Sequence, residues 1–98
     1  KRWYRMRVTQ LINNKGNAVA NHFIIIKGGS TYLQSYNSIV AKIDNFSNEV
    51  TLGIDWDYSA TTLKHLKTFL EINDSKKWIN EAIDNGVYNY ENNQLTVE

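Results

Sequence analysis

The first half of the chain carries the two-residue alternation and short apolar runs of β-strands. Residues 3–12 alternate between apolar and polar side chains, and residues 18–26 form an apolar run that suits a central strand. Three further apolar segments follow, over residues 31–36, 39–43 and 50–54. Asn- and Gly-rich segments separate the early runs and favour turns. This half predicts an antiparallel sheet of about five strands.

The second half changes to the three- and four-residue spacing of amphipathic helices. Ser59 is the predicted N-cap of the first helix, with Tyr58 placed to pack onto Leu63, and Asp74 or Ser75 is the predicted N-cap of the second. Asn85-Gly86 predicts a left-handed helix end. Residues 87–90 and 95–97 are short apolar segments that predict a last edge strand or a hairpin. The sequence therefore predicts an α+β fold, with a two-helix hairpin and a short C-terminal strand after the sheet.

Length and composition narrow this picture further. A chain of 98 residues, 42% hydrophobic and 21% charged, predicts one globular domain over residues 1–98. The absence of cysteine excludes disulfides, thiolate metal sites and thiol nucleophiles. No apolar run approaches the roughly 20 residues of a membrane helix, and the opening residues lack the apolar segment of a secretory signal. We therefore expect a cytoplasmic protein that does not contact a membrane.

Charge is distributed unevenly along the chain. Seven Lys and Arg residues precede the first acid, Asp44, whereas residues 44–98 contain all ten acids and only four lysines. On the first predicted strand, Lys1, Trp3, Arg5 and Arg7 alternate to one side and combine cations with a flat aromatic ring. Phosphates and a stacked base would suit that set, so a nucleic-acid-binding domain is one hypothesis. The charges also suit an edge strand protected from pairing, and a homodimer through this strand is a further alternative.

Residues typical of catalysis are sparse. His22 and His65 lie on different predicted elements, and His65 sits between lysines on the predicted outer side of the first helix, where solvent exposure is the ordinary case. Asp55 and Asp57 flank Trp56, but they also precede a helix N-terminus, where negative charge is stabilised. Gly28-Gly29 lacks the further residues of a phosphate-binding loop. We predict a protein that is not an enzyme and that binds no metal or cofactor.

Two sequence blocks carry a family resemblance. They are AVANHFII followed by LQSYNSIVAKI, within residues 18–43, and WDYSATTLKHLKTFL, residues 56–70. Together they resemble a family of short bacteriophage and mobile-element proteins with a W-D-Y-S-x-T-T…F-L block. The resemblance implies an accessory protein that binds a host protein or ribonucleoprotein complex in the bacterial cytosol, such as a CRISPR or other defence complex. The residues it suggests for partner binding are Gln34, Ser35, Tyr36, Asp55, Trp56, Tyr58, Thr61 and Thr62.

Overall fold

The computed structural model describes residues 6–98, which form a six-stranded sheet and two helices. The strands are β1 (Arg7–Ile12), β2 (Ala18–Lys27), β3 (Ser30–Ser35), β4 (Ser38–Asp44), β5 (Val50–Leu52) and β6 (Asn89–Tyr90). The helices are α1 (Ala60–Leu70) and α2 (Lys76–Asp84). The predicted α+β fold is confirmed, with the helices between the fifth and sixth strands.

The strands lie side by side in chain order. A short turn connects each of the first five strands to the next, and these neighbours are antiparallel. Gly16 and Gly28 take positive φ in two of the turns. The chain reaches β6 only after both helices, and β6 is parallel to β5. Such a crossover is the connection that parallel neighbours require.

Both helices begin at serine caps. Ser59 Oγ accepts the amide of Thr62 at 3.1 Å, and Ser75 Oγ accepts the amide of Trp78 at 3.2 Å. The predicted left-handed end of α2 is also present, because Gly86 has a φ of +78°. The predicted packing of Tyr58 onto Leu63 is wrong, since the Tyr58 side chain is 80% exposed.

The core lies between the sheet and the helices. Leu33 and Leu52 of the sheet and Leu66 and Ile79 of the helices are fully buried within it. Trp56, in the turn before α1, is also buried in this cluster. Burial of side chains of this size from both layers is the main favourable term for the fold. None of the helices in residues 6–98 is long and apolar enough to cross a membrane.

The C-terminal segment continues the sheet where β5 ends. The sequence predicts a strand to residue 54, but β5 ends at Leu52. Beyond it the Ile54 amide donates to the Asn93 carbonyl at 3.0 Å, and Leu95 makes a single antiparallel bridge with Ile39. A Cβ at Gly53 would stand 3.1 Å from the Asn93 carbonyl oxygen, so glycine permits this close approach. The segment thereby comes to lie beside the start of β4.

Candidate functional site

The two segments singled out for partner binding meet in the structure. Ser35 ends β3, Tyr36 and Asn37 form the turn into β4, and Thr62 lies in the first turn of α1. A hydrogen bond of 3.0 Å between Ser35 Oγ and Thr62 Oγ1 joins the segments across 27 residues of sequence. The β3–β4 turn therefore faces the N-terminal end of α1.

A cleft of about 580 Å³ opens between that turn and the helix. We call it the tyrosine cleft. It is lined by Ser35, Tyr36, Asn37, Ser38, Val40, Asp55, Tyr58, Ser59, Thr61, Thr62 and Gln94. Six of the eight residues predicted for partner binding are among these. Most of its lining side chains carry a hydroxyl, amide or carboxylate group, so the cleft is rich in hydrogen-bonding atoms.

Two tyrosines among the lining residues are exposed. Tyr58 is 80% exposed and Tyr36 is 49% exposed. Tyr36 has a φ of +56°, an unusual conformation for a bulky residue, and its amide donates to the Asn21 carbonyl at 2.7 Å. The Tyr36 ring also meets the His22 ring edge to face, with centroids 5.3 Å apart. These contacts fix Tyr36 while leaving half of its surface in solvent.

Among the described residues that line the tyrosine cleft, Asp55 is the only one with an acidic or basic side chain. Gln94 Nε2 lies 3.3 Å from Asp55 Oδ2 and 3.4 Å from Ser38 Oγ, so the amide bridges the turn and the start of β4. Asp57, two residues on, instead forms a 3.2 Å salt bridge with Lys76 of α2. The neighbouring acids thus have different surroundings, and only Asp55 faces the cleft.

A chain of buried hydrogen bonds forms the floor of the tyrosine cleft. His22 Nδ1 lies 2.9 Å from the Ala20 carbonyl, which can only accept, so Nδ1 carries a proton, and in the neutral imidazole Nε2 is then an acceptor. The Ser35 hydroxyl then donates to His22 Nε2 over 3.0 Å, and Thr62 donates to Ser35. Ser59 Oγ donates to Thr62 Oγ1 over 3.2 Å. Each donor in this sequence finds an acceptor, as buried polar groups require.

His65 lies beside this floor, and the prediction that it is solvent-exposed is wrong. Its side chain is buried, with its ring centroid 4.5 Å from that of His22. Its Nδ1 has no hydrogen-bond partner among the described residues. Burial lowers the pKa of His65, and the nearby His22 and Lys64 lower it further, because each disfavours the charged imidazolium. The two histidines, 43 residues apart in sequence, are neighbours in space.

Two of the predicted partner-binding residues do not line the cleft. Trp56 is only 4% exposed and belongs to the core cluster, so its assignment to a binding surface is wrong. Gln34 lies outside the cleft lining, and its Nε2 donates to the Tyr36 carbonyl at 2.7 Å. It therefore supports the turn that carries Tyr36.

Of the four residues predicted for nucleic-acid binding, the structure describes one. Lys1, Trp3 and Arg5 lie outside the described residues, and Arg7 is exposed at the first residue of β1.

A separate groove of about 830 Å³ runs along one side of α1. We call it the lysine groove, because Lys64 and Lys67 line it together with Glu71 and with apolar residues that include Ile12 and Leu63. Within residues 6–98, no group of three or more His, Asp or Glu side chains is arranged to hold a metal ion.

A family model matches residues 6–85, a span that runs from β1 to the end of α2 and contains every lining residue of the tyrosine cleft except Gln94. The chain belongs to this family, DUF8033, a family of unknown function. No curated protein and no solved structure matches the chain. Membership of DUF8033 thus brings no activity to the site, and its chemistry has to be argued from the residues themselves.

Sequence reasoning missed several residues of the site. His22 begins the most apolar stretch of β2, and only the partner strand shows that it faces Ser35. Gln94 comes from a polar C-terminal segment that has no pattern of its own, and it reaches the cleft because residues 93–95 pair beside β4. Ser38, which Gln94 contacts, could have been assigned to the site from the sequence, because it belongs to the same sequence block as Ser35 and Tyr36.

Proposed function

We propose that this domain is a binding module that acts by occupying a protein partner, and that the partner is received at the tyrosine cleft. The observation that carries the proposal is the pair of exposed tyrosines, Tyr36 and Tyr58, at a concave surface with a fixed polar floor. Tyrosine is enriched among the residues that dominate binding energy at protein interfaces. It supplies a large contact area together with a hydroxyl.

The rigidity of the floor supports the same proposal. Ser35 and Thr62 are held by the hydrogen-bond chain that ends at His22, and Tyr36 is held by its backbone and by the His22 ring. A surface whose side chains are already ordered loses less conformational entropy when a partner binds. The tyrosine cleft therefore combines an aromatic contact surface with a low cost of ordering.

The proposal assigns no catalytic step to the domain. The Ser35–His22 hydrogen bond has the length of a bond between a serine nucleophile and its general base. Ser35 is only 4% exposed, however, and its oxygen also accepts the Thr62 hydroxyl. A substrate carbon would have to displace Thr62 to reach that oxygen. We therefore assign the pair to the stability of the cleft floor.

The resemblance of residues 18–70 to phage and mobile-element proteins is the reason for placing the partner in a bacterial host. On this proposal the domain is an accessory protein of the bacterial cytosol, and the partner is a host protein or the protein part of a ribonucleoprotein, such as a CRISPR or other defence complex. The residues that would contact it are the exposed and half-buried ones of the tyrosine cleft, such as Tyr36, Asp55, Tyr58 and Thr61. Ser35 and Thr62, also predicted for partner binding, are buried in the floor and would support that surface. The family match assigns no partner, so this part of the proposal rests on the resemblance alone.

The test is quantitative capture of a partner from bacterial lysate by immobilised wild-type, Tyr58→Ala and Phe46→Ala domains. Phe46 is the matched control, because it is an aromatic residue that is 86% exposed and lies in the β4–β5 turn, outside the cleft lining. We expect wild type and Phe46→Ala to recover the same protein in near-stoichiometric amount. Recovery by Tyr58→Ala should fall by about tenfold, as expected for a central interface residue.

Two results would overturn the proposal. One is repeated failure of the wild-type domain to recover any protein, and the other is equal recovery by wild type and Tyr58→Ala. A second candidate function, nucleic-acid binding, has exposed Arg7 as its described member. It is tested separately by the salt dependence of oligonucleotide affinity. The homodimer alternative is tested by the molar mass from light scattering.

A further inference from the structure

The charge of the tyrosine cleft restricts what it can bind. Among the described residues that line it, the single charged group is the carboxylate of Asp55. A phosphate or a nucleic-acid backbone is bound in proteins mainly by Lys and Arg side chains, and this lining supplies neither. A cationic group is therefore the charged ligand that complements the cleft.

Asp55 is placed to bind such a group. The carboxylate is partly exposed, and Gln94 holds Oδ2 from one side. Oδ1 has no hydrogen-bond partner among the described residues, whereas Asp57 is already paired with Lys76. A carboxylate that is oriented through one oxygen and open at the other is suited to a charge-assisted hydrogen bond from a ligand.

The remaining groups favour a planar cation with several donors. Arginine presents five N–H donors and no acceptor, and the hydroxyl and amide oxygens of Ser38, Asn37 and Gln94 are acceptors in the same lining. Tyr36 and Tyr58 line the same cleft and are 49% and 80% exposed, and a guanidinium stacks favourably on an aromatic ring of this kind. A lysine ammonium would use Asp55 but would gain less from the flat rings and the spread of acceptors.

The N-terminal end of α1 lies at the cleft and opposes a cation. Its partial charge is equivalent to about half an elementary charge, against the full charge of Asp55. Ser59 also caps the Thr62 amide, which reduces the number of unsatisfied donors at this end. The carboxylate therefore dominates the local charge.

We infer that the tyrosine cleft recognises an arginine side chain of the protein partner, with the guanidinium paired to Asp55 and stacked against the tyrosines. This inference rests on the proposed function and adds to it the chemistry of the bound group. It makes arginine on an exposed loop or terminus of the partner the recognised feature.

The test is a titration of the isotope-labelled domain, followed by amide chemical shifts, with N-acetyl-L-arginine amide as the probe. The neutral isostere N-acetyl-L-citrulline amide, the corresponding lysine amide and inorganic phosphate are run in parallel. We expect saturable shifts at residues 36–38, 55 and 61 with the arginine probe. Lysine should bind more weakly, and citrulline and phosphate should give no saturable shift at these positions.

Two variants control for the charge. Asp55→Asn keeps the shape of the side chain and should weaken binding of the arginine probe about tenfold, in line with the loss of a charge-assisted hydrogen bond. Asp57→Asn removes the neighbouring acid, which does not line the cleft, and should leave the affinity within about twofold. Absence of saturable arginine shifts, equal binding of citrulline, preference for phosphate, or equal loss in the two variants would each overturn the inference.

Failure here is distinguishable from failure of the proposed function. If lysate capture depends on Tyr58 while the arginine probe does not bind, the cleft is an interface of another chemistry and only this inference falls. If lysate capture does not depend on Tyr58, the proposed function falls whatever the arginine probe does.

Discussion

The tyrosine cleft and the lysine groove both border α1, but they differ in volume, in charge and in exposed aromatic residues. The groove is the larger, at about 830 Å³ against about 580 Å³, and its charged side chains are the long ones of Lys64, Lys67 and Glu71. The cleft has one short carboxylate, a buried hydrogen-bonded floor and two exposed tyrosines. By volume alone, the lysine groove would be the better candidate for a binding site. The ordered polar groups and exposed aromatic residues instead favour the tyrosine cleft.

The two surfaces differ in the conformational free energy that would be lost when a partner orders their side chains. A lysine or glutamate side chain loses up to about 2 kcal/mol of conformational free energy when it is immobilised, and an exposed charge pair returns at most about 1 kcal/mol. The hydroxyls of Ser35 and Thr62 are already fixed by His22, so a partner binding above them meets an ordered surface. Preorganisation, more than size, therefore distinguishes the tyrosine cleft from the lysine groove as a binding surface.

Removal of His22 should have the largest effect. The ring is fully buried and supports both Ser35 and Tyr36, so His22→Ala should lower the free energy of unfolding by about 3 kcal/mol through cavity formation and lost hydrogen bonds. Lys64→Ala, at an exposed residue of the groove, should change it by less than about 0.5 kcal/mol. Urea unfolding measures both. Equal stability of the two variants would show that the floor is no more ordered than the groove.

The Ser35 hydroxyl should come next. Ser35→Ala leaves His22 Nε2 without its donor and Thr62 without its acceptor, at an expected cost of about 1–3 kcal/mol. Ser38→Ala is the matched control, since this hydroxyl lies in the same cleft and, among residues 6–98, its one side-chain hydrogen bond is the 3.4 Å contact from Gln94. Its cost should stay below about 0.5 kcal/mol. A cost for Ser38→Ala as large as that for Ser35→Ala would contradict the proposed role of the buried chain.

Acid should weaken the fold through His65. Because the pKa of His65 is lower in the folded protein than the ordinary value of 6.5, the unfolded chain binds more protons as the pH falls below that value. The stabilising contribution is therefore complete above pH 6.5 and is lost as the pH falls through the folded-state pKa. Urea unfolding from pH 8 to pH 5 should show this loss. His65→Leu should reduce the dependence, and an unchanged pH profile in that variant would assign it to other groups.

The smallest expected effect concerns the alternative of nucleic-acid binding. If the exposed basic residues bind DNA or RNA, Arg7→Ala should reduce the slope of log affinity against log salt by about one unit. Asp55→Asn should leave that slope unchanged, because Asp55 lies in the cleft. Fluorescence anisotropy with a labelled oligonucleotide provides the measurement. Affinity that is indifferent to salt and to Arg7 would remove the alternative.

Local pattern predicted much of the fold. The strand at β1, the apolar run of β2 and the serine caps of both helices are short-range features, and the structure confirms them. The face predicted from the alternation in β1 is wrong: Met6, Val8 and Ile12 are each about half exposed, whereas Leu11, beside the register shift between Gln10 and Ile12, is buried. The same reasoning placed His65 outside because it sits between lysines. In α1 the buried face contains Thr62, His65 and Leu66, spaced three and four residues apart, so two of its members are polar. Hydrophobic periodicity cannot reveal such a face.

Local sequence pattern was enough to predict most strands, both helices and their serine caps, and the family resemblance pointed to residues 34–36 and 55–62 as a binding surface. The tertiary structure decided that these segments line one cleft, that Trp56 belongs to the core, and that His22 and His65 are neighbours. The physical reason is that a buried polar side chain is stabilised by a partner far away in sequence. Ser35 has its partners 13 residues before it and 27 residues after it, and only folding brings the three together.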